Sequence, residues 1–239
     1  MKLSILMPVF NEQHRLEEAL KQALDVRYPC EIELVVVDDG STDRTGEILR
    51  GATDARLRPI FHPANRGKGA AIKTAVAEAT GEYMVILDAD LEYDPNDIPR
   101  LLAPVLDGQA EVVYGNRVFG SHSSFSFWYV MGNKGVTTAA NMLYNCYLSD
   151  LETCFKLMPV ALYRSLEIRS RGFGMEAEVT GKLLRRRVRP YEVAITYHAR
   201  TREEGKKITW RDGVQALWIL LRERLRRPPA AATTTAVPA

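Results

Sequence analysis

Residues 83–92 read YMVILDADLE, an apolar run that stops at a cluster of carboxylates. Its first five residues predict a buried β-strand. Strand ends in an open α/β sheet aim side chains at the ligand crevice. Asp88, Asp90 and Glu92 follow at two-residue spacing and can supply hard oxygen ligands to Mg²⁺ or Mn²⁺ carrying a diphosphate. A solvated turn or a cap ahead of Pro95 is the alternative for so short a pattern.

Two earlier strands end in the same way. Residues 3–7 and 32–37 predict strands, followed by PVFNE at 8–12 and by DDGS at 38–41. Helical patterns at 12–24 and 69–79 alternate with these runs, which is typical of βαβ units feeding a mostly parallel sheet. The three polar strand ends therefore predict one shared crevice.

Composition limits the class of protein. The chain has 239 residues, a mean hydropathy of -0.18 and 26% charged residues, which excludes collagen, coiled coil and general disorder and favours one soluble domain. Three cysteines without a C-x-x-C pair indicate neither a disulfide framework nor a zinc ribbon, and predict a cytoplasmic protein. No apolar run is long enough for a membrane span. Dinucleotide oxidoreduction is disfavoured because no G-x-G-x-x-G follows the first strand, and nucleic-acid binding because no such motif is present.

Four motifs in order carry a family resemblance: PVFNE at 8–12, VVVDDGSTDRT at 35–45, NRGKGAAI at 65–72 and LDADLE at 87–92. Together they resemble the nucleotide-binding half of family 2 glycosyltransferases. The resemblance implies a GT-A fold, an α/β architecture with a Rossmann-like, mostly parallel sheet flanked by helices. It implies that Asp39 reads the base and that Asp90 and Glu92 bind Mg²⁺ or Mn²⁺. The other residues it places around the nucleotide sugar in this half are Pro8, Phe10, Glu12, Asp38, Lys68, Asp88 and Ala89.

The segment 65–69, NRGKG, precedes a predicted helix. Backbone N–H groups and the helix dipole favour an anion there, so Lys68 is a candidate for a phosphate or an acidic neighbour. A simple loop with solvated cations is the alternative, and the two glycines fit a turn.

The second half resembles the polyprenyl-phosphate branch of the family, similar to dolichol phosphate mannose synthase. The motifs are GNR at 115–117, DLETCFKL at 150–157 and GFGME at 172–176. The resemblance implies an inverting hexosyltransferase in which a lipid phosphate attacks the sugar C1 and a nucleoside diphosphate from a UDP- or GDP-sugar leaves. It also implies that Arg117 and Lys156 hold phosphates.

Proton chemistry favours a phosphate acceptor over a hydroxyl, because residues 172–178 contain no Glu-Asp pair of the kind that supplies a base in many family members. A hydroxyl nucleophile needs a base, whereas a phosphate monoester is already anionic near neutrality and needs positioning instead. Glu176 and Glu178 either supply a base or pair with Arg185 or Lys182. A family 2 enzyme that acts on a glycan hydroxyl in cell-wall or surface polysaccharide synthesis therefore remains an alternative, as does a nucleotide-binding scaffold without catalysis.

Positive charge is concentrated late in the chain. Residues 182–227 hold 14 Lys and Arg against 5 Asp and Glu, a net +9 that leaves -7 elsewhere. The segment 198–207 resembles the family's basic loop over the diphosphate, with Arg200, Arg202 and Lys206 as candidates. A solvated charge run is the alternative.

The helix predicted over 210–226 carries two Trp, an apolar stripe and terminal arginines. It fits either an in-plane helix at a membrane surface or an amphipathic helix packed on its own domain. The same two alternatives, insertion into lipid or packing on the next helix, apply to four aromatic residues: Phe125, Phe127, Trp128 and Tyr129. We expect a peripheral protein on the cytoplasmic face, held by this helix or by a small membrane-anchor protein. The predicted domain covers 1–227, with a nucleotide-sugar half at 1–120, an acceptor and membrane-facing half at 121–227, and a disordered tail at 228–239.

Overall fold

The computed structural model describes residues 1–121, 127–200 and 209–226. Its core is a seven-stranded sheet in the order β3-β2-β1-β4-β6-β5-β7. The strands are β1 (Lys2–Val9), β2 (Glu31–Asp38), β3 (Leu57–Phe61), β4 (Tyr83–Ile86), β5 (Val113–Asn116), β6 (Lys156–Pro159) and β7 (Tyr191–Ala194).

The sheet is mostly parallel, as predicted. β1 pairs in parallel with β2 and β4, β2 with β3, and β5 with β7. β6 runs antiparallel to both of its neighbours, β4 and β5. The sequence did not predict β6, because its four residues KLMP have no periodicity that distinguishes a strand from a loop. Its reversed direction places the start of β6 at the edge where the parallel strands end.

Eight α-helices are described: α1 (Leu16–Asp25), α2 (Thr45–Gly51), α3 (Lys68–Glu78), α4 (Ile98–Leu106), α5 (Phe127–Tyr144), α6 (Val160–Ser165), α7 (Met175–Arg185) and α8 (Trp210–Leu225). A 3₁₀ turn at Pro95–Asp97 leads into α4. One helix differs clearly from its predicted range. α1 begins at Leu16 rather than residue 12, since Asn11 has a positive φ of 53° and the Glu12 carbonyl closes a turn on the Arg15 and Leu16 amides. α5 ends at Tyr144, because Asn145 takes a left-handed conformation.

Two apolar clusters hold these layers together. The main one buries both faces of the sheet, and the side chains of Leu34 to Val37 in β2 are fully buried, as expected for a parallel strand covered on two sides. A second cluster joins α5, α7 and α8 beside the carboxyl edge of the sheet; its members are Val136, Ala140, Leu151, Ala177, Ala216, Ile219 and Leu220. Within the described ranges, no helix has both the length and the apolar character needed to cross a bilayer.

Candidate active site

The polar strand ends meet at one edge of the sheet, as predicted. The chain leaves β1, β2, β4, β5 and β7 at this edge because these strands all run in the same direction. A cavity of about 1360 Å³ opens there. The predicted site residues that line it are Pro8, Phe10, Glu12, Asp39, Lys68, Asp88, Ala89, Asp90, Glu92, Arg117, Glu176 and Arg200.

Arg200 links the carboxylates that follow β4. Its Nη2 donates to Asp90 Oδ2 at 2.7 Å and its Nε donates to Glu92 Oε1 at 3.1 Å. The Tyr197 hydroxyl donates to the other oxygen of Glu92. Burial, together with the charges of Asp88 and Glu92, raises the pKa of Asp90 to about 7 despite the Arg200 guanidinium. These carboxylates therefore form a site that favours a cation.

The residues at this position fit a divalent metal ion. Within the described part of the chain, no group of three or more acidic, His or Cys side chains is arranged to hold a metal. Mg²⁺, however, is commonly held by one or two carboxylates, with substrate phosphates and water completing its shell. Asp90 and Glu92 supply two such carboxylates, and the guanidinium of Arg200 lies between them as a monovalent counter-charge.

A chain of alternating charges runs from the DAD motif to α7. Lys68 Nζ lies 2.8 Å from Asp88 Oδ2 and 3.5 Å from Glu176 Oε1, and Glu176 Oε2 lies 2.6 Å from Lys156 Nζ. Burial lowers the pKa of Lys68, but the carboxylates of Asp88 and Glu176 outweigh it and hold the pKa well above its usual value. Lys68 is thus a fixed ammonium ion at the start of α3.

The loop before α3 is shaped by two glycines. Gly67 has φ +93°, and a Cβ at Gly69 would lie 2.3 Å from the Ser170 carbonyl oxygen. The first position needs the left-handed region and the second needs close backbone approach. Gly67 therefore fits the turn interpretation, whereas Gly69 lies in the first turn of α3 and allows the close approach to the segment that leads into α7.

Asp39 anchors the same loop from β2. Its carboxylate accepts hydrogen bonds from the Gly67 amide at 2.7 Å and from the Arg66 amide at 3.1 Å, and it contacts His62 Nδ1 at 2.6 Å. Asp38 behaves differently. It is buried, accepts from the Ser41 amide at 3.0 Å and does not line the cavity, so its predicted contact with the nucleotide is replaced by a structural one.

Arg117, at the end of β5, is fixed in the cavity wall. Its Nε and Nη2 donate to the two oxygens of Asp150 at 2.6 and 2.8 Å, and its guanidinium lies 5.0 Å from the centre of the Tyr197 ring. Burial opposes ionisation of Asp150, but Arg117 outweighs it and lowers the pKa of that carboxyl. This bidentate pairing fixes the orientation of the guanidinium and leaves Nη1 as the nitrogen that Asp150 does not use.

Lys156 requires a correction. Its side chain is 0% exposed, it is absent from the cavity wall, and its ammonium donates to the carbonyls of Leu151 and Thr153 as well as pairing with Glu176. It cannot reach a phosphate in this arrangement and instead holds Glu176 and the 151–153 segment in place.

The two glutamates of α7 differ. Glu178 pairs with Lys182 at 2.7 Å, which is the ion pair predicted as the alternative to a role as a base. Glu176 pairs with neither Arg185 nor Lys182 in the described contacts, and its partners are Lys68 and Lys156.

Apolar side chains of α5 and α8 also line the cavity, including Trp128, Met131, Val214 and Leu217, and the polar Asn133, Lys134 and Asp212 of the same helices line it with them. Sequence reasoning missed His62 and Tyr197, whose partners Asp39 and Glu92 are 23 and 105 residues away, and no local pattern in the sequence marks either pair. Arg202, Lys206, Phe125 and the predicted tail lie outside the described residues.

Comparison with known proteins identifies the family. Residues 4–166 match the family described as Glycosyl transferase family 2. One relative is a dolichol-phosphate mannosyltransferase of Pyrococcus furiosus, 27% identical over 213 residues, or 86% of this chain and 59% of that protein. Another is an undecaprenyl-phosphate 4-deoxy-4-formamido-L-arabinose transferase of Edwardsiella ictaluri, 38% identical over 105 residues, or 42% of this chain and 32% of that protein. The chain thus spans less than two thirds of the length of these relatives.

Solved structures share the fold. Glucosyl-3-phosphoglycerate synthase from Mycobacterium tuberculosis, crystallised with Mn²⁺, UDP and glucosyl-3-phosphoglycerate, superposes with a TM-score of 0.71. The match is 21% identical and covers 93% of this chain and 79% of that one. This likeness and the sheet order confirm the predicted GT-A fold.

Proposed function

The chain belongs to glycosyltransferase family 2, and we propose that it transfers a hexose from a UDP- or GDP-sugar to polyprenyl phosphate, with inversion at C1 and dependence on Mg²⁺ or Mn²⁺. One observation carries the proposal: a single cavity is lined both by the carboxylates at the sheet edge and by apolar side chains of α5 and α8. A polar donor and a lipid acceptor need such a combination. The names of the Pyrococcus and Edwardsiella relatives support the same acceptor class.

The donor half of the cavity suits a nucleoside diphosphate. Asp39 and the 65–69 loop form one wall, and Asp90 and Glu92 supply ligands for the metal. When bound, the divalent ion neutralises charge on the leaving diphosphate. Arg200 contributes a further positive charge beside that position, and Lys68 orients Asp88 through their ion pair.

The acceptor half suits a phosphate on a lipid. A phosphate oxygen attacks C1, the bond from C1 to the diphosphate oxygen breaks, and the nucleoside diphosphate leaves with the electron pair. The attacking oxygen carries no proton to be removed, so positioning is the main requirement. Arg117, preset by Asp150, can bind the attacking phosphate, while Trp128, Met131 and Leu217 offer apolar surface to its lipid chain.

A membrane surface is the proposed partner of α8. Two stripes run along this helix: Ala216, Ile219 and Leu220 are buried against α5 and α7, whereas a second apolar stripe faces outward. Trp210 and Trp218 in the outer stripe are 75% and 63% exposed. The remaining members are Val214, Leu217, Leu221 and Leu225, with Arg211, Arg222 and Arg224 nearby. Aromatic rings at headgroup level and arginines facing anionic lipid fit the cytoplasmic leaflet.

A direct assay tests this proposal. The protein is incubated with Mn²⁺, polyprenyl phosphate in vesicles, and each of UDP-glucose, UDP-GlcNAc and GDP-mannose, and the lipid fraction is analysed by mass spectrometry. We expect a lipid-linked sugar with one donor and none after addition of EDTA. Transfer to a glycan hydroxyl in place of the lipid phosphate would support the alternative acceptor. Tight nucleotide binding without turnover on any acceptor would support a non-catalytic scaffold.

A further inference from the structure

Glu152 lines the cavity, and the proposed reaction gives its side chain no role. It lies between Asp150, which holds Arg117, and Lys156, the first residue of β6, so it belongs to the same edge of the sheet as the donor site. Its Oε1 is fully buried and makes no hydrogen bond with any residue that the structure describes. A buried carboxyl oxygen without a partner costs free energy, so a group that completes its hydrogen bonding is expected when the site is filled.

The neighbouring cations are already engaged. Arg117 pairs with Asp150, Lys156 pairs with Glu176, and Lys68 pairs with Asp88. Glu152 makes no ion pair within the described ranges, and the carboxylates of Glu176 and Asp150 are near enough to act on it. Burial, reinforced by these two charges, raises the pKa of Glu152 to about 7 in spite of Lys156 and Arg117.

The charged groups around Glu152 limit the kind of ligand group that can complete its hydrogen bonding. A phosphate directly against Glu152 is disfavoured, because an anion there would meet the carboxylates of both Glu152 and Glu176, and the Lys156 ammonium that pairs with Glu176 is buried out of the cavity. An apolar lipid chain would leave the carboxyl unsatisfied. A neutral group rich in hydroxyls suits the position, since a hydroxyl donates to a carboxylate and accepts from a protonated carboxyl.

We propose that Glu152 hydrogen-bonds a ring hydroxyl of the donor's sugar and thereby helps to determine which hexose the enzyme accepts. This inference rests on the proposed function. A buried polar group built to bind a hydroxyl rejects an analogue lacking it far more strongly than an apolar pocket does. Glu152 is therefore a specificity-determining residue that acts on the sugar, not on the nucleotide.

Binding measurements separate the sugar from the nucleotide. Dissociation constants of UDP, GDP, UDP-glucose, UDP-GlcNAc and GDP-mannose, each with Mn²⁺, are measured by calorimetry for the unmodified protein, Glu152→Gln and Glu152→Ala. We expect Glu152→Ala to weaken the preferred sugar nucleotide at least tenfold and its nucleoside diphosphate less than twofold. Glu111→Gln, an exposed carboxyl away from the cavity, is the matched control and leaves both unchanged.

Deoxy analogues of the preferred donor locate the hydroxyl. One analogue is expected to bind the unmodified protein at least tenfold more weakly than the parent donor, and to bind Glu152→Ala as well as the parent does. Thermal unfolding of both variants verifies that they fold. Equal loss for nucleotide and sugar nucleotide, or no loss for either, overturns the inference while leaving the proposed function standing.

A kinetic measurement tests the alternative role of Glu152, that of a base on a hydroxyl acceptor. If Glu152→Gln binds every donor normally but loses turnover at least a hundredfold, Glu152 acts as a base on a hydroxyl acceptor and the inference is overturned. If neither UDP nor GDP binds the unmodified protein with Mn²⁺, the proposed function fails, and the inference fails with it.

Discussion

Arg200 and Asp90 are 110 residues apart in the chain, yet Arg200 Nη2 lies 2.7 Å from Asp90 Oδ2. The contact joins the segment after β7 to the segment after β4 and places a guanidinium among the carboxylates. The charge balance at the carboxyl edge of the sheet therefore depends on Arg200, which follows the last strand, β7. A metal ion that binds Asp90 must share or replace this positive charge.

Replacing Asp90 tests metal-dependent nucleotide binding. In the unmodified protein, UDP or GDP with Mn²⁺ should raise the melting temperature, because ligand that binds only the folded state stabilises it. We expect Asp90→Asn to abolish the Mn²⁺-dependent part of the shift. Asp107→Asn, at an exposed position after α4, is the control and should keep the full shift. Equal Mn²⁺-dependent shifts of the melting temperature in both variants would show that Asp90 does not bind the metal.

Replacing Lys68 tests the alternating chain of charges. Lys68→Met removes the cation between Asp88 and Glu176 and leaves both partly buried carboxylates without it. We expect the free energy of unfolding to fall by about 3 kcal/mol in chemical denaturation. Lys73→Met, on the exposed face of the same helix, should change it by less than about 0.5 kcal/mol. Matching results for the two lysines would show that the chain of charges contributes nothing to stability.

Stability should depend on pH through Glu152. Its pKa is about 7 in the folded protein and near 4.5 in the unfolded chain, so between these values the folded state holds a proton that the unfolded state has released. Its contribution therefore lowers stability as pH rises from 4.5 to 7 and is constant above that window. Glu152→Gln has no carboxyl group at this position, so its stability does not fall in this way between pH 4.5 and 7. We expect the variant to match the unmodified protein at pH 4 and to exceed it by on the order of 2 kcal/mol at pH 8.

Denaturant titrations across this pH range measure the difference. The charged groups that act on Glu152 are Asp150, Glu176, Lys156 and Arg117, and all four are present in both proteins, so subtraction isolates Glu152. A stability difference that does not change with pH would show that Glu152 titrates normally.

The outer stripe of α8 predicts binding to anionic vesicles. Trp218→Glu places a charge in the centre of the stripe, so we expect at least tenfold weaker binding in vesicle flotation, with the remaining binding lost at high salt. Leu106→Glu changes a half-exposed apolar residue on α4 and serves as the control. Flotation of Trp218→Glu at the level of the control would contradict a membrane role for this face.

Much of the nucleotide half could be predicted from the sequence, because its information is local. A buried parallel strand is a continuous apolar run, and the polar residue after it lies at the carboxyl edge whatever the neighbouring strands are. Asp39, Asp88 and Asp90 were found in this way, and all three line the cavity.

The charge pairing could not be predicted, because it depends on packing between distant segments. The family resemblance of residues 150–157 implies that Lys156 holds a phosphate, but the reversed direction of β6 and the position of α7 bury its ammonium against Glu176. Arg117 is confirmed in the cavity, while its pairing with Asp150 across 33 residues has no periodic signature. The two apolar stripes of α8 also look alike in sequence until contacts with α5 and α7 distinguish them.

A crystal structure of the complex with Mn²⁺ and UDP or GDP, with the metal located by anomalous scattering, tests the central claim most directly. We predict a manganese peak bound by Asp90 and Glu92 and by the diphosphate, with the base beside Asp39. A nucleotide bound elsewhere, or a metal site that uses neither carboxylate, would contradict the account.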